Sequence, residues 1–217
     1  VIVSDGQKTQ MITKGAVEEI LGISTMVDYQ GNVSPITNAI KENIKKITKD
    51  LNKQGLRVVA VCQKNNLEKT SEFTVSDEKN MVLIGFIGFL DPPKESAKSS
   101  IEKLNKNGIR VIVLTGDNVE VTKCICDKVG IKSPQIVIGS QIDKLQDIAV
   151  KRLLKKTNIF AKLSPIQKAR IVRLLRNTGN VVGYMGDGIN DSPSLINSDV
   201  GISVDTAVDL SLIHIWR

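Results

Sequence analysis

The sequence predicts an α/β protein in which a parallel sheet is covered by helices. Apolar residues make up 41% of the 217 residues and aromatic residues only 3%. The core must therefore be formed mainly by Ile, Val and Leu, which suits the buried strands of a parallel sheet. From about residue 95 onward, short apolar runs alternate with segments of helical periodicity. This β-α alternation is typical of parallel sheets with helices on both faces.

The first region, up to about Asn80, contains two predicted helices. The shorter one covers 16–21. The longer one covers 35–52, where apolar residues recur at helical spacing. Ser34 is a candidate N-cap for it, and Pro35 suits its first turn.

A strand over 56–63 follows the longer helix, and Gly55 separates the two. The polar run 64–79 is predicted as a loop from its composition. The apolar run 81–90 opens the second region. It breaks at 91–93, where two consecutive prolines exclude a helix or a central strand.

The remaining elements alternate along the chain. Helices are predicted over 95–107, 119–129, around Leu153 and over 165–177, and strands over 110–114, 136–138, 158–161 and 181–185. The predicted domains are 1–85 and 86–209, followed by a separate tail, 210–217.

Charge and cysteine content restrict the classes of function. The formal net charge is +7, which suits an anionic partner such as phosphate but equally describes dispersed surface lysines. The sequence has no Arg-rich tract interleaved with aromatic residues, so nucleic-acid binding is not predicted. Cys62, Cys124 and Cys126 lack the spacing of a zinc site or a disulfide framework, and we interpret them as reduced thiols. His214 lies in the tail and has no evident partner.

The chain termini and its hydropathy indicate a piece of a longer protein. Residues 1–3 resemble the middle of a strand, and no initiator Met precedes them. No apolar run approaches the 18 residues of a membrane span, so we expect these residues to be soluble even if a parent protein is not.

The hexapeptide at 186–191, Gly-Asp-Gly-Ile-Asn-Asp, is the most informative motif. It follows an apolar run interpreted as a strand, and open α/β sheets bind ligands at the carboxyl ends of their strands. Asp187 and Asp191 are oxygen ligands of the kind that Mg²⁺ takes. Taken alone, the stretch is also compatible with an ordinary polar turn.

Four further motifs are weak individually. Thr115-Gly116-Asp117 follows a strand and opens a helix, where a phosphoryl group can be held at the positive helix end. Lys168 follows Ser164-Pro165 in the first turn of another helix and can balance phosphoryl charge. Lys14-Gly15-Ala16 and Gly55-Leu56-Arg57 each place a cation beside small residues. Each of these is also explained by a turn, a cap or a surface cation.

The ordered set of motifs resembles the cytoplasmic nucleotide-binding and phosphorylation regions of P-type ATPases, which belong to the haloacid-dehalogenase-like (HAD-like) superfamily. The order is Lys-Gly-Ala, Gly-x-Arg, Asp-Pro-Pro-Lys, Thr-Gly-Asp, Pro-x-x-Lys and Gly-Asp-Gly-Ile-Asn-Asp, and it covers nearly all of 8–209. The stretches 14–19, 88–96 and 113–118 look most like the bacterial magnesium-transporting subfamily. The resemblance implies a partial α+β nucleotide-binding domain over 1–85. It also implies a HAD-like phosphorylation domain over 86–209, with a Rossmann-like parallel sheet that lacks its first strand.

By the match, the catalytic residues are Thr115, Lys168, Asp187, Asn190 and Asp191. Asp187 and Asp191 would bind the catalytic Mg²⁺. The residues implied in binding ATP are Lys14, Gly15, Arg57, Asp91, Thr115, Gly116 and Asp117, and Asp91 matches the hinge between the two domains.

The resemblance also implies what this sequence lacks. The family transfers the γ-phosphate of ATP to the aspartate of an Asp-Lys-Thr-Gly-Thr motif, which is absent here and would precede Val1. Transmembrane and actuator regions are absent as well. The expected function is therefore part of a membrane Mg²⁺ pump, at the cytoplasmic face of the cell membrane. The alternatives are a soluble HAD-like phosphatase, or a nucleotide- and Mg²⁺-binding module that is inactive alone. A Rossmann dehydrogenase is disfavoured because no Gly-x-Gly-x-x-Gly follows a strand.

Overall fold

A computed structural model of the chain describes residues 1–4, 8–65, 73–186 and 189–203. The chain divides into two compact units, Val1–Pro92 and Pro93–Arg217. Both units combine helices with strands, and parallel and antiparallel pairings occur. The α/β prediction is therefore confirmed. The tail 210–217 lies outside the described residues.

The described part of the first unit is a six-stranded mixed sheet with two helices. The strand order is β1-β2-β5-β6-β3-β4; β3 and β6 are parallel and the other neighbours antiparallel. Its elements are β1 (Ile2–Ser4), β2 (Thr9–Gly15), α1 (Val17–Ile23), β3 (Ser24–Tyr29), β4 (Asn32–Pro35), α2 (Asn38–Lys53), β5 (Leu56–Asn65) and β6 (Met81–Leu90), with a 3₁₀ turn at Val75–Asp77.

One face of this sheet carries the core. Ala60 and Cys62 on β5 are fully buried, and they pack with Ile20 of α1 and Ile44 of α2. Because side chains alternate along a strand, the residues between them point to the opposite face. The two helices therefore cover one face of the sheet, and the intervening residues of β5 define the other.

A β-hairpin precedes the long helix, and it corrects the predicted helix start. β3 and β4 pair through a turn in which Gln30 and Gly31 have φ of 54° and 85°. Positive φ at both central residues is the geometry that matches the twist of a two-residue hairpin. Ser34 and Pro35 thus end an edge strand rather than begin a helix. The N-cap is Thr37, whose hydroxyl accepts a hydrogen bond from the Ile40 amide at 3.3 Å.

The strand β6 extends up to the double proline. Its pairing with β5 runs from Val82 to Leu90, and a bulge lies at Ile84. The predicted domain boundary after residue 85 falls inside this strand. The division into compact units comes at Pro92, where the strand has ended.

The described residues of the second unit form two parallel sheets, whereas the sequence predicted one. The strand orders are β7-β9-β8 and β10-β11. The elements are α3 (Ser96–Lys106), β7 (Val113–Leu114), α4 (Val119–Val129), β8 (Ile136–Ile138), α5 (Gly139–Asp143), α6 (Asp147–Leu154), β9 (Ile159–Ala161), α7 (Pro165–Arg176), β10 (Gly183–Met185), α8 (Ser192–Asn197) and β11 (Val200–Ile202), with a 3₁₀ turn at Ile189–Asp191.

The central strand β9 is covered on both faces. Ile159 packs with Cys126 and Val129 of α4, whereas Phe160 packs with Val150 of α6 and Ile171 of α7. Successive side chains thus enter two different cores, as the period of a strand requires. The predicted arrangement of helices on both faces of a parallel sheet is confirmed for this three-stranded sheet.

The strand β7 is shorter than predicted. Residues 110–112 precede the point at which β9 begins, so they have no ladder partner in β9. The Arg110 guanidinium instead donates to the carbonyls of Leu154 and Thr157 and to Asn158 Oδ1, at 2.6–2.7 Å. The Arg110 side chain thus satisfies two backbone carbonyls in the segment that precedes β9.

Thiol reactivity tests the packing of both units. Burial raises the pKa of Cys62, and it raises the pKa of Cys126 to about 11. Because the thiolate is the reactive form, we expect only the half-buried Cys124 to react rapidly with Ellman's reagent at pH 8 in the native chain. All three thiols should react after denaturation, and Cys124→Ser should remove the fast phase. A second fast equivalent would show that one of the two cores is open.

Candidate functional site

An ion pair shielded from solvent lies at the carboxyl end of β10. Lys168 Nζ is 2.9 Å from Asp191 Oδ1, and the two side chains are only 15% and 14% exposed. The hydroxyl of Tyr184 donates to the same oxygen at 2.8 Å. One carboxylate oxygen therefore receives two donors, one from α7 and one from β10.

The start of α7 fixes the position of Lys168. The Ser164 hydroxyl accepts a hydrogen bond from the Gln167 amide at 3.3 Å, and the Ser164 amide donates to Gln167 Oε1 at 2.8 Å. This is a capping box with Pro165 in the first turn. The predicted Ser164 cap is confirmed. Lys168 is the next residue after the box, so its side chain leaves the first turn of the helix.

Gly186 brings the backbone close to Asp191. A Cβ atom built on Gly186 would lie 2.7 Å from both Cβ and Oδ2 of Asp191. Real Cβ atoms do not make such contacts, so this position requires glycine for close approach rather than for a special φ. Oδ1 of the carboxylate is held by Lys168 and Tyr184, and Oδ2 lies toward Gly186.

The loop after β7 forms a second polar group. The Thr115 hydroxyl accepts from the Asp117 amide and donates to Asp117 Oδ2, both at 3.1 Å. The Thr115 amide donates to the Phe160 carbonyl of β9, and the Leu163 amide donates to the Thr115 carbonyl, both at 3.0 Å. The loop is thereby anchored to the end of the central strand.

The helix α4 begins directly after this loop. Asn118 caps it by accepting the Val121 amide at 2.9 Å. Gly116 faces the carbonyl of Leu163, which would lie 3.4 Å from an added Cβ. The predicted residues Thr115, Gly116 and Asp117 are thus brought together at the carboxyl end of a parallel strand and the N-terminus of a helix.

The first unit places two predicted cations on one face of its sheet. Lys14 is opposite Val61 in the β2–β5 ladder, and Arg57 precedes Val61 by four residues on β5. Partners in an antiparallel ladder share a face, and so do residues separated by an even number along a strand. Lys14 and Arg57 therefore lie on the face opposite to α1 and α2, about 13 Å apart along the strand at roughly 3.3 Å per residue.

The same face exposes apolar side chains. Phe89 pairs with Arg57 and Ile87 pairs with Val59, and these two β6 residues are 51% and 48% exposed. Two cations thus flank an exposed apolar and aromatic strip, which we call the open face, defined by Lys14, Arg57, Val59, Ile87 and Phe89.

The remaining predicted residues have different placements. Gly15 ends β2, and an added Cβ would meet Ile20 of α1 at 3.4 Å. Asp91 is exposed and directly follows β6, and Asn190 is exposed in the 3₁₀ turn before α8. Asp187 lies outside the described residues.

The described residues cover the predicted Mg²⁺ site only in part. They contain no group of three or more His, Cys, Asp or Glu side chains suited to a metal ion. They do supply one oriented carboxylate, Asp191, whose side chain packs closely against Gly186. The Asp191 carboxylate is an oxygen ligand of the kind that a hard cation such as Mg²⁺ takes.

Sequence reasoning missed Tyr184. Burial, followed by the hydrogen bond to Asp191 and its negative charge, raises the pKa of this phenol above its usual value. Tyr184 therefore remains a proton donor at neutral pH. A tyrosine within an otherwise aliphatic run is a usable signal, because a buried Tyr hydroxyl normally finds a polar partner.

Comparison with known proteins gives one family match and several relatives. Residues 1–96 match the family model described as P-type ATPase, cytoplasmic domain N. The chain is 43% identical over 211 residues to a magnesium-transporting ATPase, P-type 1, of Salmonella typhimurium, and equally identical to one of Escherichia coli K12; 97% of the chain is covered in each case. It is 33% identical, over 89% of its length, to calcium-transporting ATPase 1 of Bacillus cereus. The chain spans only 22–24% of the length of these relatives. The described helices include none that is long and apolar enough to cross a bilayer.

The close approach at Gly186 can be tested by substitution. Gly186→Ala would place a methyl group 2.7 Å from Asp191, and overpacking of this kind costs about 1–3 kcal/mol. We expect a lower midpoint in urea denaturation. Gly183→Ala is the matched control, because the nearest atom to its Cβ is the Val200 carbonyl oxygen at 3.9 Å. Equal stability of the two variants would contradict the geometry of the loop.

Proposed function

Because this chain is related to the P-type ATPases over almost its whole length, we propose that it forms ATP-binding and phosphorylation regions of an ion pump energised by ATP. In such a pump ATP is hydrolysed through an aspartyl-phosphate. The observation that carries the proposal is the shielded Lys168–Asp191 pair at the carboxyl ends of parallel strands. Phosphoryl transfer needs fixed charges around the transferred group more than it needs covalent help from the protein.

The open face is the proposed nucleotide site. A nucleotide combines a flat apolar base with a polyphosphate, and the open face combines exposed Phe89 and Ile87 with Lys14 and Arg57. Aromatic and aliphatic side chains can pack on a base, while the two cations attract phosphate oxygens. Gly15 has no side chain that would crowd a nucleotide beside Lys14. We assign Asp91, which follows β6, to the hinge between the two domains. This assignment agrees with the domain N model over residues 1–96.

The second unit provides the proposed phosphorylation site. We assign Thr115 to hydrogen-bond phosphoryl oxygens, with Gly116 and Asp117 beside them at the N-terminus of α4. Lys168 balances the phosphoryl charge. Backbone hydrogen bonds to Phe160 and Leu163 fix the position of Thr115, and fixed groups of this kind are what electrostatic stabilisation requires. The Thr115 hydroxyl donates to Asp117 Oδ2 in this structure, so it would turn from Asp117 to donate to a phosphoryl oxygen.

The metal site is assigned to the loop after β10. Asp187 and Asp191 would hold Mg²⁺, with Asn190 beside them. Bound Mg²⁺ supplies positive charge that neutralises phosphoryl oxygens. Within the protein, Lys168 and Tyr184 hold Oδ1 of Asp191, and Oδ2 lies close to Gly186.

A HAD-like, Rossmann-like fold for 86–209 is part of the proposal. Its support is the parallel pairing of β7, β9 and β8, with helices on both faces and the polar loops at the strand carboxyl ends. We propose Mg²⁺ as the transported ion, because the relatives that are 43% identical are named magnesium-transporting. The cytoplasmic face of a membrane is the proposed location, and membrane-spanning and actuator regions of a parent pump are the proposed partners.

A lysine substitution tests the nucleotide site. Lys14→Ala should weaken the binding of a non-hydrolysable ATP analogue, measured by isothermal titration calorimetry. A charge-assisted contact of about 1.5 kcal/mol corresponds to roughly a tenfold increase in Kd.

Lys46→Ala provides the matched control. Lys46 is an exposed lysine of α2, on the helix-covered side of the same unit, and its loss lowers the net charge equally. Equal affinities for the wild type and Lys14→Ala would remove Lys14 from the nucleotide site. Equal losses in both variants would indicate a general charge effect.

The absent nucleophile motif gives another expected result. The 217 residues contain no Asp-Lys-Thr-Gly-Thr sequence, so labelled ATP should leave no acid-stable, hydroxylamine-sensitive phosphoenzyme on this chain. The chain would then bind nucleotide and Mg²⁺ without turnover. A labelled acyl-phosphate on any of its aspartates would contradict this assignment.

A further inference from the structure

Tyr184 occupies an unusual chemical position in the second unit. It lies in the middle of β10, and its ring packs in an apolar cluster with Val172 of α7 and Leu195 of α8. Its hydroxyl nevertheless reaches Asp191 Oδ1 at 2.8 Å. The ring is held by packing, and the polar end touches a carboxylate assigned to the metal site.

We propose that Tyr184 is a positioning residue that fixes the Asp191 carboxylate for Mg²⁺ by holding its Oδ1 while Oδ2 lies toward Gly186. The inference rests on the proposed metal site and adds a residue to it. Tyr184 itself is not placed in contact with the metal or with the phosphoryl group.

The two donors on Oδ1 differ in rigidity. Lys168 ends a four-carbon stem with many rotamers. The hydroxyl of Tyr184 instead sits on a flat ring with two side-chain torsions, and this ring packs with Val172 and Leu195. Lys168 thus neutralises the charge of the Asp191 carboxylate, and Tyr184 fixes the orientation of that carboxylate. Because the lysine alone can follow the carboxylate through several rotamers, loss of the tyrosine hydroxyl would free the carboxylate without removing its counter-charge.

The effect of the hydroxyl can be separated from the effect of packing. Tyr184→Phe keeps the ring in contact with Val172 and Leu195 and removes one oxygen. A ligand that has to be ordered at the moment of binding binds more weakly than one held in place beforehand. The variant should therefore fold and should bind the cation less tightly.

The test measures Mn²⁺ binding to the full 217-residue chain by electron paramagnetic resonance. The variants are Tyr184→Phe, Asp191→Asn and Tyr29→Phe; Tyr29 is an exposed tyrosine in the first unit. We expect Asp191→Asn to abolish binding at the site, Tyr184→Phe to raise Kd about threefold to tenfold, and Tyr29→Phe to leave Kd unchanged. Thermal unfolding of each variant checks that the fold is retained.

A second measurement needs no substitution. The sequence contains two tyrosines, so ¹³C labelling of the tyrosine rings gives two signals. Mg²⁺ should shift the Cζ resonance of Tyr184 and leave that of Tyr29 in place, because only Tyr184 shares a hydrogen bond with Asp191. A residue with a purely structural role would show no such response.

The outcomes distinguish a failure of the proposed Mg²⁺ site from a failure of the positioning role of Tyr184. If Asp191→Asn abolishes Mn²⁺ binding while Tyr184→Phe binds normally, and Mg²⁺ does not move the Tyr184 signal, the positioning role is overturned and the metal site stands. If the wild-type chain binds no Mn²⁺, the metal site fails and the role of Tyr184 fails with it. A higher Kd in Tyr184→Phe but not in Tyr29→Phe, with loss of binding in Asp191→Asn and a Mg²⁺-dependent shift of the Tyr184 signal, supports the inference.

Discussion

The placement of strand β9 between two cores is the constraint on which the second unit depends. Its three side chains are buried, and they alternate between the helices on one face and those on the other. The end of the same strand anchors the functional loop, because the Phe160 carbonyl accepts the Thr115 amide and the Lys162 amide donates to the Asp117 carbonyl at 2.8 Å. The buried strand β9 therefore fixes the backbone of the Thr115 loop, and the bonds between Thr115 and Asp117 order the loop itself.

The same unit stabilises the charge of Asp191, a carboxylate that is largely removed from water. Leaving such a carboxylate without a partner would cost about 3–5 kcal/mol. Lys168 supplies the opposite charge and Tyr184 a second donor, so three elements, α7, β10 and the turn before α8, meet at one oxygen. A polar contact of this kind adds little to stability, since dehydration offsets most of the attraction. Its value lies in fixing one arrangement of the three elements.

The sequence predicted the elements that have strong local signals. The helix over 119–129 and the strand over 136–138 have the predicted bounds, because glycine ends the helix and the apolar run is short. The β3–β4 hairpin was missed, since Gln30 gives no sign of a positive φ and its geometry comes from strand pairing. The contact between Tyr184 and Asp191 was also missed, because it depends on how a strand and a turn come together in space.

The strands β10 and β11 expose apolar side chains to water, which favours association between molecules. Met185 and Val181 are largely exposed, and so are Val200 and Ile202 beside them. Exposed apolar side chains grouped on two neighbouring strands favour association with another molecule. The excess of positive charge, +7, opposes that association, and salt screens this repulsion. The colloidal stability of the chain will therefore depend on ionic strength: dilute buffers keep molecules apart, whereas concentrated salt allows these apolar surfaces to meet.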